Sequence, residues 1–294
     1  MIRRLALLLL ATCLTVAGTI SDAAAEPSAP DRAVGTVTLK GDPADDLLGG
    51  QTITLATPED PMTMIFRDGQ LILRTRDWFL RLTAGTERAL AVGRFSFHST
   101  WPWTGPAPQF ELSGNGISCS PAHGSFTINA IQWTADRLVR SVDLSFVQYC
   151  GSSIGATRGR YRVTNPPRLR LAATIDRTEA YANITDGSAY LEGNLTCNRR
   201  AVVAVYGEVD TVRAGSSNVG HFSTEVACAG AGTVLRWRAR AIPDAGIAFT
   251  PGPADVSAQA SSSDVAYGEL MTFADVTTPV WLKKQVTPPF RSQR

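Results

Sequence analysis

"DLSFVQYCGSSIGATRGRYRV" runs from Asp143 to Val163 and decides the fold. Its middle, Gly151 to Gly155, fits the G-x-S-x-G pattern of serine hydrolases. A nucleophile elbow requires strand, sharp turn and helix, so that the serine hydroxyl stands at a helix N-terminus. The strand is present before Gly151. After it, Arg158, Arg160 and Arg162 alternate with Tyr161 and Val163. Period-two alternation is a strand, so "GSSIG" reads as a hairpin turn and Ser153 as a turn residue.

The same rhythm extends in both directions. "QTITLAT", "QLILRT", "WFLRLTA", "QFELSG" and "SFTINAIQW" precede it; "RLRLAATI", "AVVAVYGEVDTV", "GHFSTEVAC" and "VLRWRARAI" follow. These runs are short, rich in Val, Ile, Thr and aromatics, and divided by Gly, Pro, Asp and Ser. That composition predicts strands, and no stretch after the leader holds a 3.6-residue apolar period for three turns. The expected fold class is all-β, with two β-sandwich domains divided at Asn165-Pro166-Pro167. About seven strands in the second half suggest an immunoglobulin-like architecture, although no Trp lies between its two cysteines.

The chain begins with Arg3 and Arg4, an apolar run from Leu5 to Val16 and a small-residue site at Ala23–Ala25. This is the pattern of a secretory signal peptide over residues 1–25. The expected organisation then continues with a linker at 26–34, a first domain at 35–165, a second at 166–282 and a flexible tail at 283–294. No other apolar stretch is long enough to span a membrane. Cys13 leaves with the leader, and the four cysteines that remain read as disulfides of an oxidising compartment. They allow three pairings. Equal spacings of 31 residues favour Cys119–Cys150 and Cys197–Cys228. Each bridge would close a loop worth roughly 3.5 kcal/mol in the chain-entropy model. Each pair ends the first and third of three successive strands. In a flat meander those strands lie about 9.6 Å apart, but a disulfide tolerates at most roughly 7 Å between Cα atoms. One strand must therefore cross to a facing sheet, or a cysteine must leave the ladder.

Charge is nearly balanced. Removing Arg3, Arg4 and Asp22 with the leader leaves 26 basic and 25 acidic residues. Such a balance gives no global field for nucleic acid. There is no C-x-x-C, and His98, His123 and His221 are scattered in sequence, so no metal or other cofactor is expected. The run "GDPADDLLGG" carries Asp42, Asp45 and Asp46 but lacks the spacing of a calcium loop.

The candidate ligand sites are two. "STWPWTGPAPQF" (Ser99 to Phe110) places Trp101 and Trp103 in a Pro- and Gly-rich loop, suited to stacking on sugar rings or a protein partner. The competing reading is that both cap the core. "LRWRAR" puts Arg236, Arg238 and Arg240 on one strand face, as "RGRYR" does Arg158, Arg160 and Arg162. Three cations in a row suit an anionic polymer; the competing reading is a solvated face with a carboxylate across from each arginine.

The first half also resembles a family of exported bacterial β-domains of uncharacterised function. The resemblance rests on "GDPADDLLGGQTITL" (Gly41 to Leu55), "GNGISC" (Gly114 to Cys119) and "DLSFVQYC" (Asp143 to Cys150), with "ATRGRYRV" closing the pattern. It covers roughly residues 35 to 165. The chain departs from the family at Tyr149-Cys150-Gly151 and at Ile117-Ser118-Cys119-Ser120, where the family carries more polar residues. The second half resembles the cysteine-bridged, immunoglobulin-like modules of exported proteins. Both resemblances imply architecture and no catalysis. The expected function is thus a secreted or cell-envelope binding module for a polysaccharide or an extracellular protein, not an enzyme. A ligand-free structural or adhesin-type spacer is the alternative, and a hydrolase using Ser153 is the least favoured.

Overall fold

In the strand Val139–Cys150, the side chains of Val142, Leu144, Phe146, Gln148 and Cys150 are buried, and those between them face outward. The same alternation organises the chain, which is all-β apart from one short 3-10 turn at Val265–Tyr267 among the described residues. The computed structural model describes residues 32–86, 88–100, 103, 105–213, 216–244, 246–268 and 270–286. The leader at 1–25, Trp101 and the end of the expected tail lie outside the described residues.

Six strands form one sheet: β1 (Val34–Gly41), β2 (Thr52–Ala56), β6 (Gly93–Ser99), β9 (Ala122–Trp133), β10 (Val139–Cys150) and β11 (Ala156–Thr164). Their order is β2-β1-β11-β10-β9-β6. Facing it is a five-stranded sheet of β3 (Met62–Arg67), β4 (Gln70–Thr75), β5 (Trp78–Thr83), β7 (Gln109–Gly114) and β8 (Ile117–Ser118), in that order. One hydrophobic core lies between them. Phe110 of β7 joins the sheets, with its ring 4.9 Å from Phe97 and 4.8 Å from Phe146. Aromatic pairs at such distances add about 0.5–1.5 kcal/mol each to their area burial.

"GSSIG" is the turn of the β10–β11 hairpin. Tyr149 pairs with Ala156, and Gly151 takes φ +54°. The inward position between Arg158 and Arg160 has to be glycine. A Cβ on Gly159 would lie 2.2 Å from the Phe146 ring. Packing under that ring, not anion chemistry, thus accounts for the Gly in "RGRYR".

The second half has β12 (Leu171–Asn183), β13 (Ala189–Cys197), β14 (Ala201–Arg213), β15 (Ser216–Cys228), β16 (Val234–Pro243), β17 (Gly252–Asp264) and β18 (Leu270–Gln285). Their order is β12-β13-β16-β15-β14-β17-β18, a Greek key that closes into a barrel where β12 meets β18 in parallel. The expected sandwich has two open sheets; here the long strands turn the corners and serve both sides. β15 pairs with β14 along its whole length and hands over to β16 only at Gly220 and His221. A second core fills the barrel around Trp237, whose ring stacks 5.9 Å from Phe222.

Both disulfides form as the spacing predicts, Cys119–Cys150 and Cys197–Cys228, with Cα atoms 5.2 and 6.3 Å apart. At the first bridge the geometric constraint is met by a crossing. β8 belongs to the sheet facing β9 and β10, so the first bridge ties the two sheets together. In the barrel, β13 and β15 are separated by β16 and not by β14, and the second bridge ties their ends.

Two boundaries shift from the expected ones. Ala33 already bridges Met62 and β1 starts at Val34, inside the expected linker. Lys283, Lys284 and Gln285 pair with Tyr181, Ala182 and Asn183, so the first residues of the expected tail are strand. The parallel contact that closes the barrel holds them there.

Between the two cores the chain is pinned. Asn165 donates from Nδ2 to the carbonyls of Met64 (2.9 Å) and Val139 (3.1 Å). Tyr267 donates to the Pro166 carbonyl at 2.9 Å, and Asp264 accepts the Leu169 N–H at 2.9 Å. Fully buried Asp264 also pairs with Arg199 and, at 3.4 Å, with Arg168.

Candidate functional site

Trp103 belongs to the loop between β6 and β7 and comes to rest on the outer face of the five-stranded sheet. Outward positions there alternate with the apolar residues Trp78, Leu80 and Leu82, which puts Arg81 on the surface side of β5. Its register partner on β7 is Glu111. Arg81 donates from Nη2 and Nε to Glu111 Oε2 at 2.7 and 3.2 Å. The Trp103 ring covers this pair, its centre 4.3 Å from the guanidinium carbon. Stacked guanidinium and indole attract by about 0.5–2 kcal/mol, depending on desolvation. The contact leaves Trp103 half-buried, neither in the core nor free in solvent.

Beside the indole lies a pocket of about 490 Å³, lined by Arg81, Glu111, Ser99, Phe110, Ser118, Cys119 and Ser120. Ser99 Oγ is committed to the Phe110 N–H at 2.9 Å. The walls therefore combine one aromatic surface, one half-buried ion pair and serine hydroxyls, next to a disulfide that fixes the segment Ser118–Ser120. Such a wall can stack a planar or pyranose face and hydrogen-bond hydroxyls in either direction.

The outward face of the six-stranded sheet continues from this end. His98 adjoins Ser99 on β6 and sits directly opposite His123 of β9, which sits opposite Tyr149 of β10. The rings form a row, with centroids 6.2 and 5.2 Å apart. His98 and His123, scattered in sequence, thus come together. His221 is elsewhere, on β15, with its Nε2 3.1 Å from Asp244.

The arginine rows are engaged with carboxylates. Arg236 and Arg238 both reach Glu192, which stands opposite Arg238 on β13 and is almost wholly buried. Arg240 pairs with Asp186 at 2.9 Å. On the first sheet, Arg158 pairs with Asp42 at 2.5 Å, and Asp143 holds Arg160 at 2.7 Å and Arg162 at 3.3 Å. The hydrogen bond from Arg160, joined by one from Asn129, holds the Asp143 carboxyl down at about 2. Arg158 likewise lowers Asp42. Asp45 is buried and accepts from the Leu48 N–H at 2.9 Å and the Thr157 hydroxyl at 2.7 Å. Ser153 donates to the Ala44 carbonyl at 2.8 Å. Among the described residues, no three His, Cys, Asp or Glu side chains converge as metal ligands, and no helix is long and apolar enough to cross a membrane.

Sequence reasoning singled out Trp103 and missed the residues that surround it. Arg81 and Glu111 each interrupt an apolar strand at an outward position, which was the available signal. Only the β5–β7 register shows that the two meet. Compared with known proteins, the chain matches no family model and none of the curated proteins, so a functional reading rests on the chemistry of its surface.

Proposed function

We propose that the protein is an exported, non-catalytic binding module, and that its ligand is a polysaccharide held at the Trp103 pocket. The observation that carries this reading is the indole of Trp103 fixed over the Arg81–Glu111 pair beside an open, hydroxyl-lined pocket. Preorganised aromatics on a surface lower the entropic cost of binding, because the ring is already in place when the ligand arrives. The two disulfides, compatible with an oxidising location, and the leader pattern at residues 1–25 support export. In this reading, the second half is a module that presents the first, immunoglobulin-like in its seven strands and Greek-key order but closed into a barrel. Arg236, Arg238 and Arg240 act in it as a solvated, charge-paired strand face and do not contact the ligand.

The test is co-sedimentation of the purified protein with insoluble cellulose, chitin and peptidoglycan, beside the Trp103→Ala variant. The reading expects pelleting with at least one of these and a loss of about 10-fold or more in the variant, equivalent to about 1.4 kcal/mol or more. Pelleting with none, or equal pelleting of both proteins, would remove the site. A ligand-free spacer would give the first of these results.

A further inference from the structure

Two sheet faces of this nearly neutral chain carry opposite charge. On the outer face of the six-stranded sheet, Arg158, Arg160 and Arg162 run along β11. Lys40 stands opposite Arg158 on β1, and Arg94 lies on the far strand β6. Among the described residues, only Asp42 and Asp143 form ion pairs with these five cations, and Asp143 is shared by two of them. The barrel carries the opposite face, on the outward side of β15-β14-β17-β18. Residues 204–210, 217–227, 252–263 and 270–281 contain no Lys or Arg at all. They carry Glu208, Asp210, Glu225, Asp255 and Asp275. None of these five forms an ion pair among the described residues, whereas Glu111 and Asp143, the carboxylates carried by strands of the first two sheets, both do. Asp210 and Asp255 even stand directly opposite each other on adjacent strands. Like charges placed so are destabilising in an isolated sheet. Half-exposed Phe273 and partly exposed Tyr206 lie among them and offer apolar contact area.

We propose that the protein associates head to tail, the acidic barrel face of one copy docking on the basic sheet face of the next. Complementary charge selects the partner, and the geometry is commensurate. Outward side chains two residues apart on a strand are spaced by about 6.6–6.8 Å, which is the repeat of Glu208 and Asp210 as well as of Arg160 and Arg162. A cationic face laid over Asp210 and Asp255 also relieves their repulsion; among the described residues no cation pairs with either, and Asp210 accepts only the Ser217 hydroxyl at 2.6 Å. Because the two faces differ, the contact is heterologous and propagates into open chains instead of closing a symmetric dimer. The association is independent of the Trp103 pocket, so each can fail without the other.

Sedimentation velocity over a concentration series tests it, at about 0.01 M salt, where the screening length is about 30 Å, and at about 1 M, where it is about 3 Å. The expected result is a mass that climbs with concentration at low salt and returns to that of one chain at high salt. Two variants locate the faces. The first is Glu208→Gln/Asp255→Asn/Asp275→Asn, and the second is Lys40→Gln/Arg94→Gln/Arg162→Gln. Each is expected to stay a monomer alone, and the two mixed should form a one-to-one complex and nothing larger, because each retains one intact face. Thermal melts check folding, and the first variant should melt no lower than the parent protein. Trp103→Ala should assemble as the parent does. A single-chain mass at every low-salt concentration overturns the proposal. So does assembly by either variant alone, assembly indifferent to salt, or a monomer whose basic face captures an acidic polysaccharide instead.

Discussion

The Arg81 guanidinium lies 4.3 Å beneath the centre of the Trp103 ring while it donates to Glu111 at 2.7 Å. One cation thus anchors a loop tryptophan to a sheet and keeps a carboxylate beside it. Removing the arginine should release the indole. Arg81→Ala is expected to red-shift the Trp103 contribution to fluorescence and to raise its acrylamide quenching, with the fold retained. Subtracting the signal of Trp103→Ala isolates that contribution.

Asp264 is fully buried and is the counter-ion of Arg168 and Arg199. Deleting one partner of a buried ionic cluster leaves uncompensated charge and costs about 3–5 kcal/mol. Asp264→Ala also orphans the Leu169 N–H. Urea unfolding should show a midpoint lowered accordingly, and a change under about 1 kcal/mol would contradict the role given to this residue.

Asp143 makes stability depend on acid. Its carboxyl titrates at about 2 in the folded protein, held there first by the hydrogen bond from Arg160, against about 3.9 in an unfolded chain. The stabilisation is complete above the unfolded value and is lost as pH falls through the folded one. Asp143→Asn should therefore cost about 1 kcal/mol at neutral pH, in keeping with a partly exposed pair. It should also flatten the fall of the melting temperature between about pH 4 and pH 2. A variant whose acid profile matches the parent's would refute this assignment.

Gly159 is the inward residue between two outward arginines. Gly159→Val drives a side chain into the Phe146 ring, 2.2 Å from where its Cβ would stand. Overpacking of this kind costs about 1–3 kcal/mol. Arg158→Lys, on the solvent side of the same strand, should change stability by less than about 0.5 kcal/mol. Paired chemical denaturation curves read both.

Much of this architecture is legible in the sequence because it is set by local periodicity. Alternation in "DLSFVQYC" and "RGRYRV" gives the hairpin, and the half-buried period of two leaves little freedom for a helix. The disulfides follow from spacing, and the distance a bridge can span leaves two solutions, a strand that crosses or a cysteine outside the ladder; β8 takes the crossing. What depends on register is not legible. Lys283 and Lys284 look like a polar tail until β18 is seen to close the barrel against β12. The alignment of His98, His123 and Tyr149 joins three strands, and no local signal links them. Glu192 beneath Arg236 and Arg238, and Asp264 beneath Arg168 and Arg199, are carboxylates whose partners are set by strand pairing or by packing of distant segments. The Trp103 pocket lies between these cases. The Pro-rich loop marks the tryptophan as unusual, and the β5–β7 pairing supplies the charges around it.

The central claim is that Trp103 marks a polysaccharide site. The most direct measurement is a binding isotherm of the parent protein on the insoluble polymer that pellets it best, run beside Trp103→Ala and Trp281→Ala. Trp281 is exposed on the barrel, far along the chain from the pocket, and controls for adhesion of any surface indole. The account predicts unchanged affinity for Trp281→Ala and an affinity weakened about 10-fold or more for Trp103→Ala. Equal affinity in all three, or a loss confined to Trp281→Ala, would contradict it.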